Sequence, residues 1–327
     1  MIVVISHAGD PHAMRVIDVL QRQGEDVLLL DLAELPGTAS LTVDFDDCAC
    51  GRPRLCHRTA GGGDRDLASA SAVWWRRPQA VDLSSITDPH VHAFTAGEWH
   101  EAVAGLWQLM PGPWMNPPTT DEVAGRKLLQ LQVARELGLR IPRTLVTSDP
   151  AEAMRFLDRE PGAQTVFKTF SCTHQVWRET RLVGSAERDA LASVSLAPVI
   201  FQEYVQAEVD LRVTVVGDRV FAAAIHSAAT DYPVDFRMSI GQALVEPATL
   251  PDDVIDRLRE LMARLGIVYG AFDLRRTPEG EHVFLEVNTA GEFLFVEERT
   301  GLPITEAVAG WLANPVPAGE LSAQAAR

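Results

Sequence analysis

The stretch YGAFDLRRTPEGEHVFLEVN, residues 269–288, predicts a β-hairpin in which a turn at TPEG joins two apolar strands. Side chains alternate between the faces of a strand, so Phe284, Glu286 and Asn288 are expected on one face of the second strand. Valine and leucine residues between them form the other face. Such a strand is either an ordinary surface strand or half of a binding site for a hard cation.

The first strand of the hairpin contributes a second carboxylate, Asp273. If Thr277 faces Gly280, Asp273 faces Phe284 and lies diagonally from Glu286, about 7–8 Å away between Cα atoms. Two carboxylates and the amide that follows are hard oxygen donors of the kind that Mg²⁺ prefers. A solvated acidic face explains the same residues, so the hairpin alone leaves both interpretations open.

The composition is that of a folded protein with a strongly acidic surface. The 327 residues include 45 acidic and 29 basic side chains, a formal charge of −16, and 46% are hydrophobic. This charge repels phosphate backbones, so a nucleic-acid partner is not expected. No apolar run approaches the roughly 20 residues that span a bilayer, and MIVVISHAGD indicates a first strand rather than a signal peptide. We therefore expect no membrane partner and a cytoplasmic location.

Three cysteines cluster in the N-terminal part of the chain. Cys48, Cys50 and Cys56 lie beside His57 in a segment rich in Gly and Arg. A zinc site is one interpretation of this cluster. The first pair has the spacing C-x-C and no second pair follows, which favours reduced thiols.

Other nucleophile or metal patterns are weaker. Cys172 and His174, in SCTHQ, indicate neighbours in an exposed loop rather than a nucleophile and its base. His90-x-His92 is expected in a loop as well. No convincing Ser/His/Asp or Cys/His arrangement therefore appears in the sequence.

The element pattern indicates an α/β (α+β) fold that opens with a βαβ unit. Residues 2–6 predict a strand, Asp10 and Pro11 begin a helix that ends at Gly24, and DVLLLDL predicts a second strand. The first turn lacks G-x-G-x-x-G, so a dinucleotide site is not expected. LTVDFD and SAVWWRRP predict further strands, and residues 94–110 predict a helix.

A linker rich in Pro and Gly, PGPWMNPPTT at 111–120, divides the chain. A helix over 121–139 follows, then a small α+β module that ends near Pro198. The strand VIFQEYV is expected to open the third region. The predicted division is an N-terminal domain 1–118, a central region 119–198, a C-terminal region 199–314 and a flexible tail 315–327.

Several charged residues occupy apolar surroundings. Lys168 lies in the strand TVFKTF, where it needs an anionic partner or a path to solvent. Glu203 ends an apolar strand, and Asp210 and Arg212 follow in VDLRV. Lys127 lies near the start of the helix after the linker. Each position alone has an ordinary structural explanation, whereas their order along the chain is informative.

In that order, the residues resemble the ATP-grasp superfamily. The match comprises Lys127, Lys168, the QEYV hinge, Asp210 and the acidic hairpin ending in LEVN, over residues from about 115 to 312. The resemblance implies an ATP-grasp fold, and the opening βαβ unit is similar to the pre-ATP-grasp domain that precedes that core. It also implies ATP and Mg²⁺ as cofactors.

One branch of the superfamily is especially similar. VWWRRP, WMNPP, IPRTLVT, DFR and TGLPI resemble the RimK-like peptide-modifying ligases of the MvdC/MvdD type, the graspetide or microviridin-type maturases. That resemblance implies a ribosomal precursor peptide, with leader and core, as the partner. It implies closure of lactam or lactone rings between an Asp or Glu side chain and a Lys, Ser or Thr.

The resemblance also implies a role for each candidate residue. Two lysines and two arginines would contact phosphates, three hinge residues would hold adenine, one carboxylate would hold ribose, and three residues would hold Mg²⁺. SCTHQ would cover the phosphates. The phosphate contacts would be Lys127, Lys168, Arg212 and Arg237, and the two arginines would act in catalysis. The adenine contacts would be Glu203, Tyr204 and Val205, and the ribose contact would be Asp210. The Mg²⁺ ligands would be Asp273, Glu286 and Asn288.

Three functions stay open at this point. The first is a peptide macrocyclase, and the second is an intermolecular ligase that adds an amino acid or amine to a carboxylate. The third is a catalytically silent protein that binds a peptide. A homodimer is compatible with all three.

Overall fold

The computed structural model describes residues 1–49, 51–159, 164–170 and 179–316. In these ranges, no helix has the length and apolar character needed to cross a membrane. The predicted tail from 317 onward, the loop SCTHQ and the strand around 176–178 lie outside the described residues, as do Cys50, Cys172 and His174.

The N-terminal part of the chain contains a parallel sheet in the order β2-β1-β6-β7 and an antiparallel sheet β3-β4-β5. The βαβ opening is confirmed, and Asp10 caps its helix by accepting hydrogen bonds from the backbone of His12 and Ala13 at 2.8 and 3.2 Å. The elements are β1 Ile2–Ile5, α1 Pro11–Arg22, β2 Val27–Leu30, β3 Ala39–Ala49, β4 Arg52–Thr59, β5 Asp64–Asp66, β6 Ala72–Trp75, α2 Pro89–Leu109 and β7 Trp114–Met115.

Two local predictions in this region are wrong. Helix α2 begins at Pro89, capped by Asp88, so His90 and His92 lie on a helix rather than in a loop. The linker also contains a strand, because Trp114–Met115 pairs with β6. Periodicity misses both because the first half of α2 is solvent-exposed and β7 is only two residues long.

A second antiparallel sheet occupies the centre of the chain, in the order β10-β9-β11-β8. The helix predicted over 121–139 is two helices, since α3 ends before Gly125 and α4 starts at Lys127. The elements are α3 Pro118–Ala124, α4 Lys127–Glu136, β8 Thr144–Thr147, α5 Pro150–Asp158, β9 Thr165–Lys168, β10 Arg181–Leu182, α6 Ser185–Asp189 and β11 Val199–Glu203.

Strand β11 belongs to this central sheet, because it pairs with both β8 and β9. The sequence grouped the same strand with the third region. The difference arises because strand partners depend on long-range packing, which the local pattern does not encode. The division of the chain into domains stays a prediction.

The C-terminal part contains a five-stranded antiparallel sheet in the order β14-β13-β12-β15-β16. One face packs on α4 and α7, and the other shares a core with α9, α1 and the N-terminal sheet. Sequence analysis missed the short helix α8. The elements are β12 Val209–Val216, β13 Arg219–Ile225, β14 Val245–Ala248, α7 Asp252–Leu265, β15 Tyr269–Arg276, β16 His282–Asn288, α8 Leu294–Thr300 and α9 Ile304–Ala313.

The hairpin of β15 and β16 forms as predicted, but its register differs. Asp273 pairs directly with Glu286, whereas the next pair is Leu274 with Phe284, so a β-bulge leaves Leu285 as the extra residue. Phe284 therefore packs in the core against Phe272, with ring centroids 6.3 Å apart. The expectation that Phe284 shares a face with Glu286 is wrong, because the bulge interrupts the alternation.

Candidate active site

A cavity of about 250 Å³ lies between the central and C-terminal sheets. Ten of the eleven candidate residues line it, and the eleventh, Arg212, binds one of those ten directly. The lining members are Lys127, Lys168, Glu203, Tyr204, Val205, Asp210, Arg237, Asp273, Glu286 and Asn288. Residues that are far apart in the sequence thus border one space.

Two carboxylates face each other on the floor of this cavity. Asp273 on β15 is the direct cross-strand partner of Glu286 on β16, because the bulge brings them level. Arg212 on β12 donates a hydrogen bond of 2.8 Å from Nη1 to Asp273 Oδ1. Lys127 at the start of α4 forms an ion pair with Glu286. Each carboxylate therefore has its own cationic neighbour.

Gln130 explains why Lys127 reaches Glu286. Its side-chain amide accepts a hydrogen bond of 3.0 Å from the backbone N–H of Val287 and donates one of 2.8 Å to the Val287 carbonyl. These bonds attach α4 to the outer edge of β16, one turn from Lys127. Sequence analysis missed Gln130, although its position three residues after Lys127 places both on one side of the helix.

The two carboxyl groups have opposite pKa shifts. Burial alone would raise the pKa of Glu286, but the charges of Lys127 and Lys168 lower it to about 2. Burial raises the pKa of Asp273, and Arg212 only partly opposes that effect. Burial lowers the pKa of the Lys168 ammonium, against the attraction of Glu286. The site thus holds an ionised carboxylate at neutral pH among several cations.

The donor set fits a hard divalent cation. Asp273 and Glu286 supply carboxylate oxygens, and Asn288, on the same edge of β16, supplies an amide oxygen that accepts from the Ala290 N–H at 3.0 Å. No group of three His, Cys, Asp or Glu residues that could hold a metal ion occurs in the described part of the chain. Mg²⁺ commonly takes one or two protein carboxylates and completes its shell with water and phosphate oxygens.

Four cationic side chains line the cavity beside five acidic ones, in a protein whose net charge is −16. Arg237 follows Asp235, to which it donates hydrogen bonds of 2.8 and 2.6 Å from Nε and Nη2. Burial would raise the pKa of Asp235, but these bonds lower it, so the carboxylate holds the arginine in place while ionised. With Lys127, Lys168 and Arg212, the arrangement suits an anionic ligand that carries several negative charges.

The hinge after β11 borders the cavity and is held by Arg275. The apolar side chains of Val166 and Leu285 also line the cavity. Arg275 donates to the Val205 carbonyl at 2.7 Å and to Asp210 Oδ1 at 2.9 Å, and it also binds two backbone carbonyls at 233–234. Sequence analysis missed Arg275, whose signal was a basic residue within an apolar strand, as for Lys168.

Asp210 lines the cavity but is already hydrogen-bonded within the protein. It is 2% exposed, pairs with Arg275 and accepts from the Ser227 hydroxyl. A carboxylate has about four acceptor sites, so these contacts leave capacity for a hydroxyl of a ligand. A role for Asp210 toward ribose stays a prediction.

The cysteine cluster forms no described metal site. Cys56 is a buried free thiol, and burial is the main cause of its raised pKa. His57 is also buried, and burial lowers its pKa. Because Cys50 lies outside the described residues, the choice between a zinc site and reduced thiols stays a prediction.

Two sheets enclose a cavity that contains paired carboxylates and several cationic side chains. This arrangement is typical of the ATP-grasp class of protein, whose ligases use ATP. The chain belongs to the RimK-like ATP-grasp family, because residues 124–312 match the RimK-like ATP-grasp domain. Residues 1–122 match the MvdD pre-ATP-grasp domain. The predicted ATP-grasp fold with an N-terminal pre-ATP-grasp domain is confirmed.

Two solved structures are similar over nearly the whole chain. The macrocyclase MdnC of Microcystis aeruginosa, solved with the precursor peptide MdnA, has a TM-score of 0.85 and 29% identity over 96% of this chain and 99% of its own. A RiPP-associated ATP-grasp ligase of Chryseobacterium gregarium, solved with ADP and a leader and core peptide, has a TM-score of 0.86 and 25% identity, covering 97% of each chain.

Curated relatives match a shorter part. A probable alpha-L-glutamate ligase of Citrobacter koseri is 29% identical over 198 residues, which is 57% of this chain. The ribosomal protein bS6 L-glutamate ligase of Escherichia coli is 28% identical over 195 residues. The match spans 62% of the length of each of these relatives.

Proposed function

We propose that the protein is an ADP-forming ligase that joins side chains within a ribosomal precursor peptide by an ω-amide or ω-ester bond. The observation that carries this proposal is the extent of similarity to the two peptide-modifying ligases, which covers at least 96% of the chain. The glutamate ligases match only 57% of it. The similarity to the peptide-modifying ligases thus extends over a much larger part of the chain.

The cavity supports a defined orientation of ATP. Val166 and Leu285 would pack on the adenine ring, and the backbone at Glu203, Tyr204 and Val205 would hydrogen-bond its edge. Asp210 would bind the ribose. The phosphates would then lie beside Lys127, Lys168 and Arg237, which line the cavity, and near Arg212, which binds Asp273.

The residues Asp273, Glu286 and Asn288 would hold Mg²⁺, which neutralises charge on the phosphates when it is bound. Lys127 forms an ion pair with Glu286. If Mg²⁺ bound Glu286, Lys127 would pair with the nucleotide phosphates instead.

The chemistry follows from positioning and charge. An Asp or Glu carboxylate of the peptide attacks the γ-phosphorus, and the bond between that phosphorus and the β-phosphate oxygen breaks. ADP departs, and the peptide then carries an acyl phosphate. A Lys amine or a Ser or Thr hydroxyl then attacks the acyl carbon, loses its proton and releases phosphate. Lys168, Arg212 and Arg237 would stabilise negative charge on the transferring group, and no covalent nucleophile of the protein is required.

The partner in this proposal is a precursor peptide with a leader and a core, and the location is the cytoplasm, where ATP is available. The intermolecular ligase remains the second candidate, since the curated relatives are glutamate ligases. A silent peptide-binding protein would have no need for two adjacent carboxylates that each bind a cationic side chain. A homodimer stays a prediction.

The test uses the purified protein with a candidate precursor peptide whose core contains both acidic residues and Thr, Ser or Lys. We expect ADP release and the loss of one water per ring from the peptide mass. Gain of an amino acid residue instead would establish the intermolecular ligase.

Variants then test the site itself. Glu286→Gln should abolish ADP formation with the fold intact, whereas Glu279→Gln, in the exposed turn of the same hairpin, should leave it unchanged. Wild-type activity in Glu286→Gln would remove the metal assignment.

A further inference from the structure

The segment after β16, Thr289-Ala290-Gly291-Glu292, joins the candidate site to the N-terminal region and is here named the TAGE loop. We propose that Arg76, at the end of β6, is a positioning residue that holds this loop and thereby orients Asn288 and Arg212. The proposal rests on the proposed function, because it assigns a role in metal binding. It gives a purpose to the motif VWWRRP, which the nucleotide site leaves unexplained.

Arg76 connects the N-terminal region to the loop through charged and backbone hydrogen bonds. Its side chain is 1% exposed, and its Nε donates to Asp10 Oδ2 at 3.0 Å. Its Nη1 donates to the carbonyls of Ala290 at 2.6 Å and Gly291 at 3.0 Å. Because Asp10 also caps helix α1, the guanidinium has a fixed base from which to hold the loop.

The TAGE loop in turn contacts two of the groups proposed to bind the metal and phosphates. The Ala290 N–H donates to Asn288 Oδ1 at 3.0 Å, so the residue whose carbonyl Arg76 binds also orients the amide oxygen. At the other end, the Glu292 carbonyl accepts from Arg212 Nη2 at 3.0 Å, while Arg212 Nη1 binds Asp273. A shift of the loop would therefore disturb both Asn288 and Asp273.

Close packing prevents the loop from shifting independently. A Cβ atom at Gly291 would lie 2.3 Å from the Ala271 Cβ and 2.8 Å from Arg212 Nη2, so only glycine fits against these two residues. The Tyr269 hydroxyl donates to the Gly291 carbonyl at 2.7 Å. The loop is thus fixed between the C-terminal sheet on one side and Arg76 on the other.

The neighbouring Arg77 offers a matched comparison. It binds the same Ala290 carbonyl at 3.0 Å and the Glu292 carboxylate at 2.7 Å, but its side chain is 42% exposed. Water can replace the hydrogen bonds of an exposed arginine, whereas it cannot readily replace those of a buried one. Loss of Arg77 should therefore affect the loop much less than loss of Arg76.

The experiment measures Mn²⁺ binding, as a probe for the divalent site, by electron paramagnetic resonance on the full chain saturated with ADP. Arg76→Lys retains a charge for Asp10 but cannot reach both loop carbonyls at once, and Arg76→Met removes all the bonds. We expect Mn²⁺ affinity to fall about tenfold or more in both, as is typical for groups that orient metal ligands. ADP affinity without divalent metal should fall by less than Mn²⁺ affinity, because Arg212 is the one proposed nucleotide contact that the loop holds.

Two controls separate positioning from a general loss of stability. Arg77→Gln should change Mn²⁺ affinity by less than about threefold. Val4→Ala, in the core of the same parallel sheet, should destabilise the fold without changing metal affinity. If Arg76→Met does not fold, Arg76→Lys decides the outcome.

The possible failures are distinguishable. Wild-type protein that binds no Mn²⁺ in the presence of ADP would refute the proposed metal site and this inference with it. Wild-type protein that binds Mn²⁺, together with folded Arg76 variants that bind it equally well, would refute the positioning role alone.

Discussion

The ionised state of Glu286 should make the stability of the folded protein depend on pH in a way that one substitution removes. Its pKa is about 2 in the folded protein, compared with an ordinary value of 4.5. A carboxyl group whose pKa is lowered by folding contributes stability above its unfolded pKa and loses that contribution as the pH falls through the folded value. The relevant window is therefore pH 4.5 down to about pH 2.

The magnitude follows from this shift. One pH unit below 4.5, the protonated form of this glutamate exceeds the ionised form about tenfold in the unfolded chain, whereas the folded protein keeps it ionised. This difference lowers the free energy of unfolding by about 1.4 kcal/mol. The complete shift corresponds to about 3 kcal/mol. Lys127 and Lys168 supply this stabilisation, since their charges overcome the cost of burying the carboxylate.

The assay is urea denaturation of the wild type and of Glu286→Gln at a series of pH values from neutral to one unit below 4.5. Subtracting the two curves at each pH cancels the titration of carboxyl groups that do not interact with Glu286. We expect the wild-type advantage to shrink by about 1.4 kcal/mol one unit below the ordinary pKa of glutamate. A difference that stays constant with pH would refute the reasoning.

Asp273 provides a comparison of opposite sign within the same cavity. Burial raises its pKa, so the ionised form costs stability, and acidification should relieve that cost. The difference between the wild type and Asp273→Asn should therefore grow in favour of the wild type as the pH falls. The same direction for both variants would show that the pair is not divided into one stabilised and one destabilised carboxylate.

Three further predictions concern the ends of the cavity and the core beneath it. Lys168→Met should weaken ADP binding about 10- to 100-fold in calorimetry, because a charged hydrogen bond to phosphate contributes about 1.5–3 kcal/mol. Arg275→Met should lower the free energy of unfolding by about 3–5 kcal/mol in urea, because it leaves the Asp210 carboxylate buried without its cation, and Asp210→Asn in the same chain should recover part of the loss. Phe284→Ala should lower the free energy of unfolding by about 3–5 kcal/mol and leave ADP affinity unchanged. Leu285→Ala should weaken ADP binding, because Leu285 lines the cavity. The reverse result would contradict the bulge.

Local patterns predicted the elements that border the site. Apolar alternation around TPEG indicated the hairpin, Asp10 and Pro11 indicated the start of α1, and the order from Lys127 to Asn288 indicated the superfamily. These signals succeed because strand alternation, helix capping and turn formation depend on residues only a few positions apart. The structure confirms the α/β fold and brings the candidate residues around one cavity.

The sequence by itself thus determined the fold class, the hairpin and most, but not all, of the charged residues around the cavity. Only the tertiary structure decided that Asp273 lies level with Glu286, because the bulge at Leu285 depends on how Phe284 packs in the core. It also decided which residues hold the site together. Arg76 and the Ala290 carbonyl are 214 positions apart, and no local period or spacing specifies a hydrogen bond that forms only when separate sheets pack against each other.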